Sequence, residues 1–258
     1  MISQVVVASA PHSIAAPRPN TARLDRWFFG GMAAAAALIV FAGFAPSYYL
    51  KGVYGTPPLS PLRHLHGAVF TLWMVLFAVQ TSLIAARRTT VHRRLGMAGV
   101  VLAATMVVVG TAVAIAAAKY PRAVASGFPP PLVFLVIPLS DLAVFLGLVT
   151  VGVHQRRKPD VHKRLMLLAT IAILPAALGR LVFPGGVLDF LGLPAGPLTL
   201  TGLTTIFVGA CVVYDRVARG RVHSATLWAG GVLLAAQLLR LVVGGTAAWL
   251  TFARWLTR

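Results

Sequence analysis

Seven apolar segments, each near 20 residues long, dominate this 258-residue chain. They run over about 27–47, 65–86, 95–118, 131–153, 163–182, 198–214 and 225–251. A helix rises 1.5 Å per residue, so about 20 apolar residues cross about 30 Å of hydrocarbon. In lipid every backbone N–H and C=O must be bonded internally, and the alternating pattern of a barrel strand is absent. Helices are the form left open to these segments. The expected fold is all-α: a polytopic transmembrane bundle of about seven helices.

Charge agrees with this. Only 11% of residues are charged, against about 25% in a soluble domain. Such a surface suits lipid rather than water. The net charge of +18 comes from 23 Lys and Arg against 5 acidic residues, all Asp. The cations sit in short joints between segments. They fit membrane topology and anionic headgroups, and no basic domain exists to carry nucleic-acid binding. The lone Cys211 excludes an internal disulfide and a Cys-rich metal site.

Residues 1–26 are polar and read as a flexible cytoplasmic tail, and the first apolar run is too long for a cleaved signal. The remainder, 27–258, reads as one transmembrane domain. Its core is 62–182, with additional helices at 27–47, 198–214 and 225–251.

One motif occurs twice. Arg87-Arg88-Thr89-Thr90-Val91-His92-Arg93-Arg94-Leu95 joins the second and third segments. Arg156-Arg157-Lys158-Pro159-Asp160-Val161-His162-Lys163-Arg164-Leu165 joins the fourth and fifth. The two joints make a parallel repeat of two hairpins, both turning on one side. Fifteen Lys and Arg fall on that side against six opposite. The positive-inside rule then places the N-terminus in the cytoplasm and the C-terminus outside, in a bacterial inner membrane.

Helix rise places Asp141, Arg240, Arg180 and His66 about 20, 24, 28 and 30 Å from the basic side. An ionised group in hydrocarbon costs about 2.5–3.5 kcal/mol even on the lenient insertion scale, so Asp141 should pair with a cation, Arg240 first. Gln80 lies fourteen residues after His66 on the same helical face. These five residues form the expected internal polar site, open to a quinol or other small molecule. A packing role is the competing assignment, and for Arg180 so is snorkelling to the interface or capping the end of its helix.

His92 and His162 open two helices at matching positions. Imidazole ligates haem iron, zinc or copper, and two at one depth clamp a haem on both faces. Interfacial hydrogen bonding is the competing role, and it is the one assigned to His154 and His223. No phosphate-binding Gly loop, serine-hydrolase elbow or His-Glu-x-x-His motif is present.

A family likeness rests on the order of these residues. A His at the start of a helix is followed by Gln80 near its end, then His92-Arg93-Arg94-Leu95-Gly96. Later come His162-Lys163-Arg164-Leu165-Met166 and a closing Arg180. Over about residues 60–185 this resembles the bacterial multi-pass membrane proteins grouped as domain of unknown function 2306. The resemblance implies an inner-membrane location and no settled activity. More distantly, the chain resembles the four-helix di-haem core of the cytochrome b561 type. Asp141 stands where that pattern puts an inner histidine on its helix, so this likeness implies one haem b, held by His92 and His162.

Three functions remain open. One is a haem- or metal-binding redox component. The second is a small-solute or proton transporter using Asp141 and Arg240, against which the absence of an inverted repeat and of a broken mid-membrane helix counts. The third is a non-catalytic membrane subunit or assembly factor.

Overall fold

A computed structural model describes residues 19–120, 129–182, 185–186 and 188–258. The described residues form ten α-helices, with one π-helical and one 3-10 turn. They are α1 (Pro19–Phe44), α2 (Pro61–Ala85), α3 (Thr89–Lys119), α4 (Pro131–Phe134), α5 (Val136–His154), α6 (Pro159–Ala172), α7 (Pro175–Val182), α8 (Pro197–Arg219), α9 (Ser224–Val243) and α10 (Ala247–Leu256). Six stretches are long and apolar enough to cross a membrane, α4 and α5 counting as one, and α6 with α7 makes a seventh. The protein is a multi-pass integral membrane protein with an all-helical bundle.

The hairpins expected from the repeated motif are present. α2 packs on α3, α5 packs on α6, and α3 packs on α5. Trp73, Met106, Phe145, Leu165 and Leu168 fill the centre, with Trp73 edge-on to Phe145 at 4.9 Å. The Trp73 indole N–H donates to the Thr170 hydroxyl at 3.3 Å, which satisfies two polar groups that lipid cannot. α1 lies on α2 and α7, while α9 fills the groove between α5, α6 and α8. Gly43 permits the α1–α7 approach: a Cβ there would sit 2.5 Å from the Ala177 carbonyl oxygen. Leu38, Leu72, Val101, Val108, Ile206, Leu239 and Val242 stay exposed on the outer faces. On a soluble protein such a collar is an aggregation hazard. Here it meets lipid.

Four boundaries differ from the sequence expectation. The tail expected over 1–26 lies outside the described residues through 18, and helix begins at Pro19. Its polar first turns are held by Asp25, which bonds Lys163 at 2.5 Å. The fourth segment is interrupted at Leu135. The fifth begins at Pro159 and is broken between Ala172 and Pro175, with a bend of 44°. Pro175 has no N–H, and its ring excludes the preceding helical carbonyl. The mid-membrane break counted as missing is therefore present.

The seventh segment ends at Val243 rather than 251. Gly244 and Gly245 stop the helix, and the Thr246 hydroxyl caps α10 by accepting from Trp249 N at 3.2 Å. α10 then turns onto α4, where the Trp249 indole donates to the Leu132 carbonyl at 2.9 Å. Phe252 and Trp255 remain exposed beside it, as suits a helix at a membrane–water interface.

The start of α1 and the joints α2–α3, α5–α6 and α8–α9 gather at one end, here the basic end. α10 marks the opposite end.

Candidate functional site

α3 and α6 are not neighbours along their length, since α5 lies between them. At the basic end they nevertheless bring His92 and His162 face to edge, with ring centroids 6.3 Å apart and planes at 85°. His162 Nδ1 lies 2.8 Å from the Gly152 carbonyl oxygen. A carbonyl only accepts, so Nδ1 carries the proton and Nε2 is left as the free lone pair. Backbone orientation of a ligating imidazole through its second nitrogen is the usual arrangement at metal sites. Gly152 allows it by letting α5 and α6 close: a Cβ there would meet Met166 Sδ at 3.1 Å. His92 Nδ1 is buried and has no hydrogen-bond partner.

Two imidazoles on one metal, with bonds of about 2.0–2.1 Å, keep their ring centroids within about 6–6.5 Å. The pair meets that limit as it stands. No group of three His, Cys, Asp or Glu side chains forms a metal site among the described residues. A zinc centre draws three or four protein ligands. Haem iron takes only axial ligands from the protein. Two histidines equal in number the axial positions of haem iron.

Gln80 belongs to this end and not with His66. Fourteen residues of helix separate the two by about 21 Å. The Gln80 amide N–H donates to the His92 carbonyl at 3.2 Å, which fixes α2 against the start of α3.

Beside the histidines lies an ionic network that the sequence reading missed. Arg164 is 3% exposed and Asp215 fully buried. Arg164 Nε donates to Asp215 Oδ1 at 3.0 Å and Nη2 donates to the same oxygen. Arg164 Nη1 donates to the Asp160 carbonyl at 2.7 Å. Asp215 also accepts from the Thr226 hydroxyl at 2.5 Å and from His223 N at 3.1 Å. Lys163 bridges Asp25 and Asp160, Arg219 bonds Asp160 at 2.7 Å, and the Tyr214 hydroxyl donates to Asp25. Three carboxylates thus meet three cations across α1, α6 and α8, and α9 adds the Thr226 hydroxyl. A cavity of about 10 Å³ between Arg164, Tyr214, Asp215 and Thr226 has room for one water. The equivalent cations of the first motif, Arg93 and Arg94, are exposed. The repeat has diverged, and only its second copy found a buried partner.

His223 stands between α8 and α9 as the cap of α9, its Nδ1 accepting from Ala225 N at 3.1 Å. Burial, and then the Arg164 guanidinium, hold its imidazole below the usual pKa. His154 is exposed at the end of α5.

In the opposite half, Arg240 Nη1 donates to Asp141 Oδ1 at 2.6 Å, the pairing expected from depth alone. The Arg240 side chain is 1% exposed and that of Asp141 15%. One turn away Gln237 is 2% exposed. Both of its amide atoms, together with Arg240 Nε and Nη2, are buried without a partner.

His66 and Arg180 do not join this pair. Arg180 is exposed, donates to its own helix at the Ala176 carbonyl (2.6 Å) and lies over the Phe44 ring at 4.4 Å. That bond ties it to the last turn of its own helix. His66 rests on Phe70 with centroids 4.1 Å apart, and its buried Nδ1 has no partner.

No family model, curated protein or solved structure matches the chain. The site must be read from its own chemistry.

Proposed function

We propose that this protein is a redox component of the bacterial inner membrane, in which His92 and His162 hold one haem b near the cytoplasmic face. One observation carries the reading. Two histidines at equivalent places of a repeated motif, on helices that are not neighbours, converge at 6.3 Å, one of them oriented by a backbone carbonyl. When bound, haem supplies a one-electron couple. The protein's part is to hold and shield it. Gly152 sets the His162 tautomer, Gln80 anchors the helix turn carrying His92, and the apolar centre around Phe145 excludes water on the inner side. The exposed arginines of the basic end offer cations to the anionic side groups of a haem. The excess of basic residues at this end orients it to the cytoplasm.

Haem content tests the proposal. Full-length protein purified from haem-replete cells is expected to carry one haem per chain, and a haem-free preparation sinks the reading.

The bend at Ile173–Leu174 favours a second reading, transport of a small solute or proton. A helix interrupted at membrane depth is the usual construction of a transporter site, and this one packs against the helix that carries Arg240.

A further inference from the structure

Burying a polar atom in a lipid-embedded bundle without a partner costs several kcal/mol. Four such atoms occur together on one face of α9: Gln237 Nε2 and Oε1, and Arg240 Nε and Nη2. Residues three apart on a helix have Cβ atoms about 5–6 Å apart, so the two side chains address one volume.

Their arrangement is specific. Asp141 occupies Nη1 of the guanidinium, while the Nε and Nη2 edge stays free. That edge presents two parallel N–H donors, the fork that takes a carboxylate through both oxygens. Gln237 adds one donor and one acceptor beside it. The break between α6 and α7 lies about 21 Å from the start of α6, and Gln237 about 20 Å from the start of α9. The Asp141 side chain keeps 15% exposure.

Charge balance selects the ligand. Ionised Asp141 and Arg240 sum to zero. Adding a carboxylate alone would bury a net negative charge, which this environment opposes. A carboxylic acid entering with its proton keeps the site neutral: the proton passes to Asp141, and the carboxylate takes the Arg240 fork. We infer that Asp141, Gln237 and Arg240 form a binding site for a small hydroxy- or ketocarboxylic acid, taken up together with one proton. The second polar group of the ligand serves Gln237.

The ionisable groups on the elements packed against α5 are few. α9 carries Arg240 at this level, and α4 carries none. Those of α3 and α6 lie at the basic end (His92, Arg93 and Arg94; Asp160, His162, Lys163 and Arg164), except Lys119, which donates to the Arg258 carbonyl at the opposite end. Asp141 is therefore the group able to accept the proton. The inference deepens the transport reading and is independent of the haem. Absence of haem leaves it standing, and failure of acid binding leaves the redox proposal standing.

The test is equilibrium binding of lactate, pyruvate, propionate and acetate to the full-length protein in lipid nanodiscs between pH 5.5 and 7.5. Lactate or pyruvate is expected to bind saturably and more weakly as pH rises, since one proton accompanies each carboxylate. Asp141→Asn is expected to bind the carboxylate without a pH slope. Gln237→Leu, which removes two orphaned atoms and no charge, is expected to fold and to reduce lactate to the affinity of propionate. No saturable binding of any of the four acids overturns the inference. So does lactate binding to both variants with wild-type affinity and slope.

Discussion

Replacing Asp215 by asparagine should destabilise the bundle more than any other conservative substitution at its basic end. The carboxylate is fully buried and accepts from the Arg164 guanidinium, the Thr226 hydroxyl and His223 N. Asparagine keeps the shape and removes the charge. Arg164, 3% exposed, is then left with the half-exposed Asp160 carboxylate at 3.7 Å as its nearest counter-charge. Removing one partner of a buried pair costs about 3–5 kcal/mol, because the other charge stays buried. At about 2–4 °C per kcal/mol for a chain of this size, Tm falls by roughly 6–20 °C. Removing both charges, as Arg164→Met with Asp215→Leu, leaves no orphaned ion. It strands only Thr226 and His223 N, at about 1–3 kcal/mol for a lost acceptor. Circular dichroism melts in one detergent, run on Asp215→Asn and on Arg164→Met, Asp215→Leu and their double, close the cycle. An Asp215→Asn protein melting with the wild type refutes the argument. So does a double variant whose loss equals the sum of the singles.

Three other outcomes are expected. Gly43→Leu puts atoms where the Ala177 backbone lies, so it should lower Tm and raise protease sensitivity, and an unchanged melt would show that α1 and α7 do not meet closely. His223 has a lowered pKa in the fold, so the folded protein binds fewer protons than the unfolded chain below about pH 6.5 and loses stability as pH falls; His223→Asn keeps a capping oxygen and should flatten that part of the Tm-against-pH curve, which would persist unchanged if the cap were irrelevant. In intact cells a membrane-impermeant thiol reagent should label Arg258→Cys and not Lys158→Cys, and the reverse pattern would invert the proposed orientation.

Much of this architecture is legible in the sequence because lipid simplifies the rules. Apolar length sets the spans, and the repeated basic joint predicts the hairpins. Its matched histidines meet because equivalent positions on repeated hairpins fall at one depth. Depth alone also pairs Asp141 with Arg240. The same arithmetic fails for Arg180, because a long side chain reaches several ångströms from its Cα and here turns onto Phe44 and its own helix. It also groups Gln80 with His66 by face, although 21 Å of helix sends them to opposite ends. Arg164 and Asp215 look like ordinary interfacial charges. Their burial depends on which helices stand side by side, and hydrophobic periodicity is silent on that. Two signals were available: only five acids in the chain, three of them at segment ends beside cations, and Pro175 inside an apolar run. Gln237 is one uncharged amide in a run of leucines and alanines, and only the structure reveals that its amide has no partner.

The central claim is that His92 and His162 are two ligands of one haem. The most direct measurement is the optical spectrum of the purified full-length protein, oxidised and dithionite-reduced, beside His92→Ala, His162→Ala and His154→Ala. The account predicts sharp reduced α and β bands in the wild type and in His154→Ala, lost or converted to a five-coordinate form in each of the other two. Identical spectra in all four proteins, or a wild type with no Soret band, contradict it.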